Sequence, residues 1–266
     1  VEVIDLSEHL IRNMLRAISQ RSIIHIHWIE HKYTFGMANR LNCFSKLFIL
    51  ATVPLFICFL YVVKLIGCPI VTTLHNVIPH RVLYPKLERC CFKIVLGISE
   101  TVFVHTNHAK LRAKKLYGIN DEKIVTVYHG KWMHIRKNVY NRAKARAVLG
   151  INSDTFVICF VGRISPDKGL HLLIEALLDW NSNIPIYLLI AGPPSDKNYL
   201  DRVIRKSRRL PSSIRIKYYP YWIPDEFLEI LIEACDVGVA PYTRTTTPST
   251  VLLFMSFGKP IIAPAL

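Results

Sequence analysis

Acidic residues are scarce in the first part of this 266-residue chain. Residues 1–150 hold 8 Asp and Glu against 22 Lys and Arg, a surplus of 14 positive charges, whereas residues 151–266 hold 11 against 12. Nearly the whole net charge of +15 therefore belongs to the first half. Such a field draws polyanions: anionic lipid headgroups, a diphosphate-bearing molecule or nucleic acid. No RNA- or DNA-binding motif accompanies the charge, so nucleic acid is set aside and an anionic membrane surface is preferred. The seven cysteines contain no CxxC pair and no regular spacing, which argues against a zinc ribbon or a disulfide framework. Cys58, Cys159 and Cys235 stand in apolar runs and read as buried thiols of a reduced, cytoplasmic protein. With 20% charged and 51% hydrophobic residues, wholesale disorder is excluded. The chain opens on Val1 without Met or signal peptide and stops at Leu266, just after the strand-like run Pro260–Ala263. A parallel α/β domain seldom ends on a strand with no helix to cover it, so a fragment of a longer protein is expected.

What is present is alternation. Apolar strand-like runs occur at Ile23–Trp28, Ile70–His75, Thr101–Thr106 and Ile124–Tyr128, then at Thr155–Val161, Ile186–Ala191, Ile214–Tyr218, Val237–Ala240 and Pro260–Ala263. Longer helical stretches separate them, the pattern of βαβ units and parallel sheets. The basic, polar stretch Lys131–Arg146 reads as a linker entering a helix over Asn141–Leu149. Two Rossmann-like domains follow, spanning residues 1–135 and 136–266.

The stretch Leu47–Val63 carries no charge and is just long enough to cross a bilayer, but Pro54 interrupts it. It also lies between two strands that should pair in one sheet, and a membrane pass would part them. A buried crossover helix is the preferred reading, ahead of a helix dipping into the membrane face.

The segment most specific for chemistry is Phe156–Leu170, FVICFVGRISPDKGL. A buried strand runs into Gly162, a turn carrying Arg163 and Lys168, and then an amphipathic helix. Two cations thus stand at the carboxyl end of a parallel strand, where open α/β sheets bind ligands. Gly162 lets a phosphate approach the backbone, and the following helix N-terminus adds partial positive charge. Such a pair can stabilise a diphosphate as a leaving group, although a solvated surface turn would carry the same residues.

FVGRISPDKGLHLLIEAL resembles the donor-site signature of glycosyltransferase family 4, the group 1 glycosyltransferases of GT-B fold. YLLIAGPP, YYPYWIPDEFLEILIEACDVGVAPY and LLFMSFGKPIIAP follow in the family's order. IIHIHW, VTTLHNVIPH, VFVHTNHAKLRAKKLYGI and KIVTVYHGKW resemble its acceptor domain and hinge, less tightly. The resemblance implies an α/β GT-B fold, two Rossmann-like domains with parallel sheets facing a cleft, and a hexosyltransferase-type enzyme. It assigns Arg163 and Lys168 to the donor diphosphate, backbone near Trp222 and Ile223 to the nucleobase, and His75 to the face of the transferred sugar. Gly162, Gly192 and Pro241 belong to the same donor pocket, and Asn76 and His80 share the loop of His75. Asp225 reads as the N-cap of the helix after it.

The family usually places two glutamates eight residues apart ahead of the last Gly-x-Pro. Those positions here are Thr245 and Leu253. A hydroxyl-rich loop stands in their place, in which Thr245, Thr247, Ser249 and Thr250 could donate hydrogen bonds to phosphate or sugar. Retention of anomeric configuration is therefore open, and Glu30 is the acceptor-side candidate for a general base. The expected partners are a nucleotide-sugar donor, a lipid-linked or saccharide acceptor and an anionic membrane surface, with no metal or other cofactor. The competing reading is a non-catalytic GT-B-like module that docks on anionic membrane or nucleic acid.

Overall fold

The computed structural model describes residues 22–29, 43–78, 84–130, 132, 134–182, 184–243 and 249–265. They fall into two compact units, Val1–Tyr128 and His129–Leu266. The division lies ahead of the expected 135/136 because the connecting stretch packs into the second unit. Ile135 is buried with Val157, Leu231 and Phe254, and the Trp132 N–H donates to Ser256 Oγ at 3.1 Å.

In the first unit β1 (Ile24–His27), α1 (Cys43–Leu65), β2 (Ile70–Thr73), α2 (Pro85–Ile98), β3 (Thr101–Val104), α3 (Asn107–Tyr117) and β4 (Ile124–Thr126) alternate. The strands form a parallel sheet in the order β1-β2-β3-β4. Each strand places alternate β-branched residues inward, as in Ile24/Ile26 and Val102/Val104, and these meet Phe92, Val95 and Leu96 of α2. α3 begins where Thr106 accepts from Ala109 N and ends at Gly118, whose φ of 66° takes the left-handed turn.

α1 is the crossover between β1 and β2, as expected, but it is not buried. Only 22% of Phe48–Leu65 lies inside. Ile49, Val53, Leu60 and Val63 form the inward stripe, while Leu50, Leu55, Tyr61, Val62 and Leu65 are exposed. A helix touching a sheet on one side buries one stripe, so an all-apolar sequence leaves the rest uncovered. Cys58 is exposed for the same reason, and Cys90 is exposed too; Cys68, Cys91, Cys159 and Cys235 are buried.

The second unit runs α4 (Arg142–Leu149), β5 (Phe156–Val161), α5 (Leu170–Leu178), β6 (Ile186–Ala191), α6 (Lys197–Ser207), β7 (Ile214–Tyr219), α7 (Asp225–Ala234), β8 (Val237–Val239), α8 (Ser249–Ser256) and β9 (Ile261–Ile262). The parallel sheet has the order β7-β6-β5-β8-β9. The chain builds outward from β5 through β6 and β7, then returns to the other side of β5 with β8. That reversal makes the carboxyl ends of β5 and β8 a topological switch point, where a doubly wound sheet opens a crevice. Apolar layers cover both faces, one under Leu170, Ile174 and Leu200, the other under Leu231, Ile232 and Phe254.

α4 is clamped to this sheet by Arg146, which is buried. Its guanidinium donates to the carbonyls of Ala234, Asn152, Ser153 and Thr155 and to Asp236 Oδ2 at 2.6 Å. Asp236 also accepts from Val157 N and from Arg142.

Candidate functional site

The switch point of the second unit is built by two loops that interlock. After β5 the chain passes Gly162 and Arg163, makes a 3-10 turn at Pro166–Lys168 and enters α5 through Gly169, at φ 68°. After β8 it passes Pro241, Tyr242 and Thr243. A Cβ on Gly169 would lie 1.8 Å from Pro241 O, so only glycine lets the two backbones meet. Thr243 N donates to Asp167 O at 3.0 Å. Gly192, after β6, has the same reason to be glycine, since a Cβ there would stand 2.1 Å from Gly162 O.

Into this frame project the two cations. Arg163 is exposed and Lys168 is half-buried. Lys168 Nζ sits 4.0 Å from the centroid of the Tyr242 ring. Burial pulls the Lys168 ammonium below its usual range, Asp167 opposes this, and the Arg163 charge pulls in the same direction as burial. Between Arg163 and Lys168 the Ser165 hydroxyl is buried with no hydrogen-bond partner, a donor left unused by the protein.

The remaining donor-side expectations divide. Thr250 is buried; its hydroxyl accepts from Tyr242 Oη at 2.7 Å and donates to Val161 O at 3.4 Å. These bonds make Thr250 a tie between the end of β5 and the loop after β8. Ser249 is exposed at the first position of α8. Thr245 and Thr247 lie outside the described residues. Leu253, the position of the family's second glutamate, is in the core beneath α8. Trp222 is 80% exposed after β7 while Ile223 is buried beside it. Asp225 is the first residue of α7 and not its N-cap, which is Pro224. Its carboxylate still favours the helix N-terminus through the dipole.

In the first unit His75 follows β2, and the sheet's carboxyl end gathers imidazoles there. His27 Nδ1 lies 3.0 Å from His75 Nε2, and His75 Nδ1 lies 3.3 Å from His105 Nε2. The order of donors follows from the last partner. His105 Nδ1 lies 2.9 Å from Val127 O, and a carbonyl only accepts. For neutral rings His105 Nε2 is then the acceptor, His75 donates from Nδ1, and His27 donates to His75 Nε2. Trp28 stacks on His75 at 4.4 Å and 11°, held at a φ of 53° that is uncommon for a non-glycine residue. His25 packs next to His27, and its pKa is lowered by burial and then by His27. Asn76 Nδ2 is buried with no hydrogen-bond partner. Glu30 and His80 lie outside the described residues.

Sequence reasoning passed over Tyr242, Ser165, His27 and His105. The histidines had a visible signal, since His27, His75 and His105 each stand at the carboxyl end of a successive strand. Tyr242 had none, because its contact with Lys168 joins residues far apart in the chain.

The family described as glycosyl transferases group 1 matches residues 141–265, which takes in β5 to β9 and the Gly162–Gly169 loop. The match covers most of the second unit. The D-inositol 3-phosphate glycosyltransferase of Rhodococcus erythropolis is 24% identical over 210 residues, covering 74% of this chain and 47% of that protein. This chain thus spans about half the length of that curated relative. Among solved structures, the Anabaena protein HepE in complex with UDP and glucose superposes with a TM-score of 0.65 at 16% identity, covering 98% of this chain and 65% of that one. A glycosyltransferase of Rickettsia africae gives 0.66 at 18% identity, covering 100% and 65%. At such identities the likeness speaks for the fold, which is GT-B. The second unit carries Arg163 and Lys168 at the switch point of its sheet.

Proposed function

We propose that the protein is a hexosyltransferase that moves a sugar from a nucleoside-diphosphate sugar to a membrane-associated lipid-linked or saccharide acceptor, from the cytoplasmic side. One observation carries the reading. Arg163, Lys168 and the unpartnered Ser165 hydroxyl share a loop at the carboxyl end of β5, beside Gly162. Two cations and a spare donor suit a diphosphate that gains charge as the sugar leaves it. The bond from the anomeric carbon to the diphosphate oxygen breaks, the electron pair stays on the diphosphate, the acceptor hydroxyl oxygen forms the new bond, and its proton passes to the departing diphosphate or to solvent. The name of the HepE structure supports UDP as the nucleotide, and that of the Rhodococcus relative supports a polar hydroxylated acceptor. The exposed apolar face of α1 and the basic first half support a membrane-associated acceptor.

Calorimetry of the full-length protein with UDP-, GDP- and ADP-sugars tests the reading, followed by turnover with the donor that binds. Binding and sugar transfer, unaffected by a chelator, are expected. Loss of transfer on chelation would overturn the metal-free reading and turn attention to the imidazoles of His27, His75 and His105. Binding without hydrolysis or transfer would favour the non-catalytic module, which the missing glutamates allow. No binding of any nucleotide sugar would sink both.

A further inference from the structure

We propose that Tyr242 is a positioning residue for Lys168, its ring holding the ammonium in place and its hydroxyl tying that ring to Thr250. The proposal rests on the reading of Lys168 as a diphosphate cation. Lysine is a flexible point charge on four methylenes, and an exposed one samples many rotamers. Lys168 does not have that freedom. Its Nζ lies 4.0 Å from the Tyr242 ring centroid, over the face that carries the negative part of the ring quadrupole. Tyr242 itself cannot move, since it is 3% exposed and its Oη donates to the buried Thr250 Oγ1 at 2.7 Å. Thr250 in turn reaches Val161 O, the carbonyl just before Gly162.

The backbone repeats the connection. Thr243 N and Oγ1 both donate to Asp167 O, at 3.0 and 3.2 Å, and Pro241 O presses against Gly169. Pro241, Tyr242 and Thr243 thus grip the three residues Asp167–Gly169, and Tyr242 is the member that touches the charge. An aromatic ring also suits this place electrically. It attracts the ammonium without forming a carboxylate ion pair, so the charge is held but not neutralised. A carboxylate there would hold Lys168 more tightly and compete with the diphosphate for it. Oη lies near the phosphate approach as well, since a Cβ on Gly162 would be 3.5 Å from it.

The test combines two measurements on the full-length protein, with UDP as the probe. Tyr242→Phe keeps the ring, Tyr242→Leu removes it, and each is also made in a Lys168→Ala background. In the Lys168 background, Tyr242→Leu should weaken UDP about tenfold and Tyr242→Phe by about twofold or less. In the Lys168→Ala background the Leu substitution should change UDP affinity little, because the two act through one contact. Isotope-labelled lysine gives the second readout: the Lys168 methylene resonances should be shifted upfield by the ring in the wild type and in Tyr242→Phe, and relax in Tyr242→Leu. Equal losses from Tyr242→Leu in both backgrounds, or unshifted Lys168 resonances in the wild type, would overturn the proposal. UDP affinity untouched by Lys168→Ala would instead sink the diphosphate reading, and the resonances would still judge the pairing of Tyr242 with Lys168.

Discussion

Arg163 and Lys168 share a loop but not an environment, and their substitution should show it. Losing one preorganised cation beside a developing diphosphate charge lowers turnover about 100- to 1000-fold. Arg163→Ala, on an exposed side chain, should do so with an unchanged melting temperature. Lys168→Ala also removes packing against Tyr242, so its kinetic defect should come with a modest loss of stability. Near-normal turnover in both would show that the loop binds something other than a diphosphate. pH gives a second check. The pKa of Lys168 is lowered, first by burial. Donor binding that needs the ammonium is present below that lowered pKa and fades as pH rises through it. In the window between the lowered pKa and the ordinary 10.5 the unfolded chain binds more protons at this residue, so its contribution to stability rises with pH. Opposite slopes for UDP affinity and for the difference in unfolding free energy between wild type and Lys168→Ala would identify the residue. Parallel slopes would point to general alkaline unfolding.

α4 and α1 show how differently two helices are held. α4 is short and is tied down by the buried Arg146, whose charged partner among the described residues is Asp236. Burial raises the Asp236 pKa, but the Val157 N–H, Arg142 and Arg146 outweigh it and hold the carboxyl below its usual range. A depressed carboxylate contributes stability that is present above the unfolded pKa and lost as pH falls through the folded one. Asp236→Ala leaves Arg146 buried without its counter-charge and should cost about 3 kcal/mol in urea unfolding at neutral pH. The cost should shrink in acid, where the wild type loses the same interaction; a cost below about 1 kcal/mol at neutral pH would make the pair a surface decoration. α1 is held by one apolar stripe. Its other side is what a monotopic helix presents to lipid, with Lys64 in the last turn donating to Ile98 O.

For the whole molecule, the combination of an exposed apolar helix and 14 surplus positive charges in the first half predicts reversible docking on anionic membrane. Each Lys or Arg near such a surface adds about 1 kcal/mol, screened by salt. Not every cation is available. Lys110 and Lys114 both pair with Asp121, at 3.3 and 3.0 Å, which leaves Arg112 and Lys115 as the exposed cations of α3 without a described ion pair. Liposome sedimentation should show binding to anionic vesicles, weaker binding to neutral ones and release by salt. Leu55→Glu, on an exposed side chain, should weaken binding without unfolding the protein. Binding unchanged by Leu55→Glu would exclude α1 as the anchor. No binding to any vesicle would assign the charge to a soluble anionic acceptor.

The nine strands of the described residues and the Gly162–Lys168 turn were legible in the residues themselves, because strand periodicity and the strand–Gly–cation–helix pattern are local. Observed strands begin and end within two residues of the expected ones, as at Ile70–Thr73 against Ile70–His75. Tertiary packing settled what local pattern could not. An apolar stretch looks the same whether it is enclosed or only leaned upon, so α1 read as buried until the sheet was seen to take one stripe of it. A threonine hydroxyl in a loop looks free until a distant tyrosine claims it, as Tyr242 claims Thr250. The lysine of the site, present in the motif, acquired its place only when folding brought that same tyrosine beneath it, and its lowered pKa comes first from burial. Pairings of this kind join β5 to the end of β8 across some seventy residues of chain, and no local sequence window contains both partners.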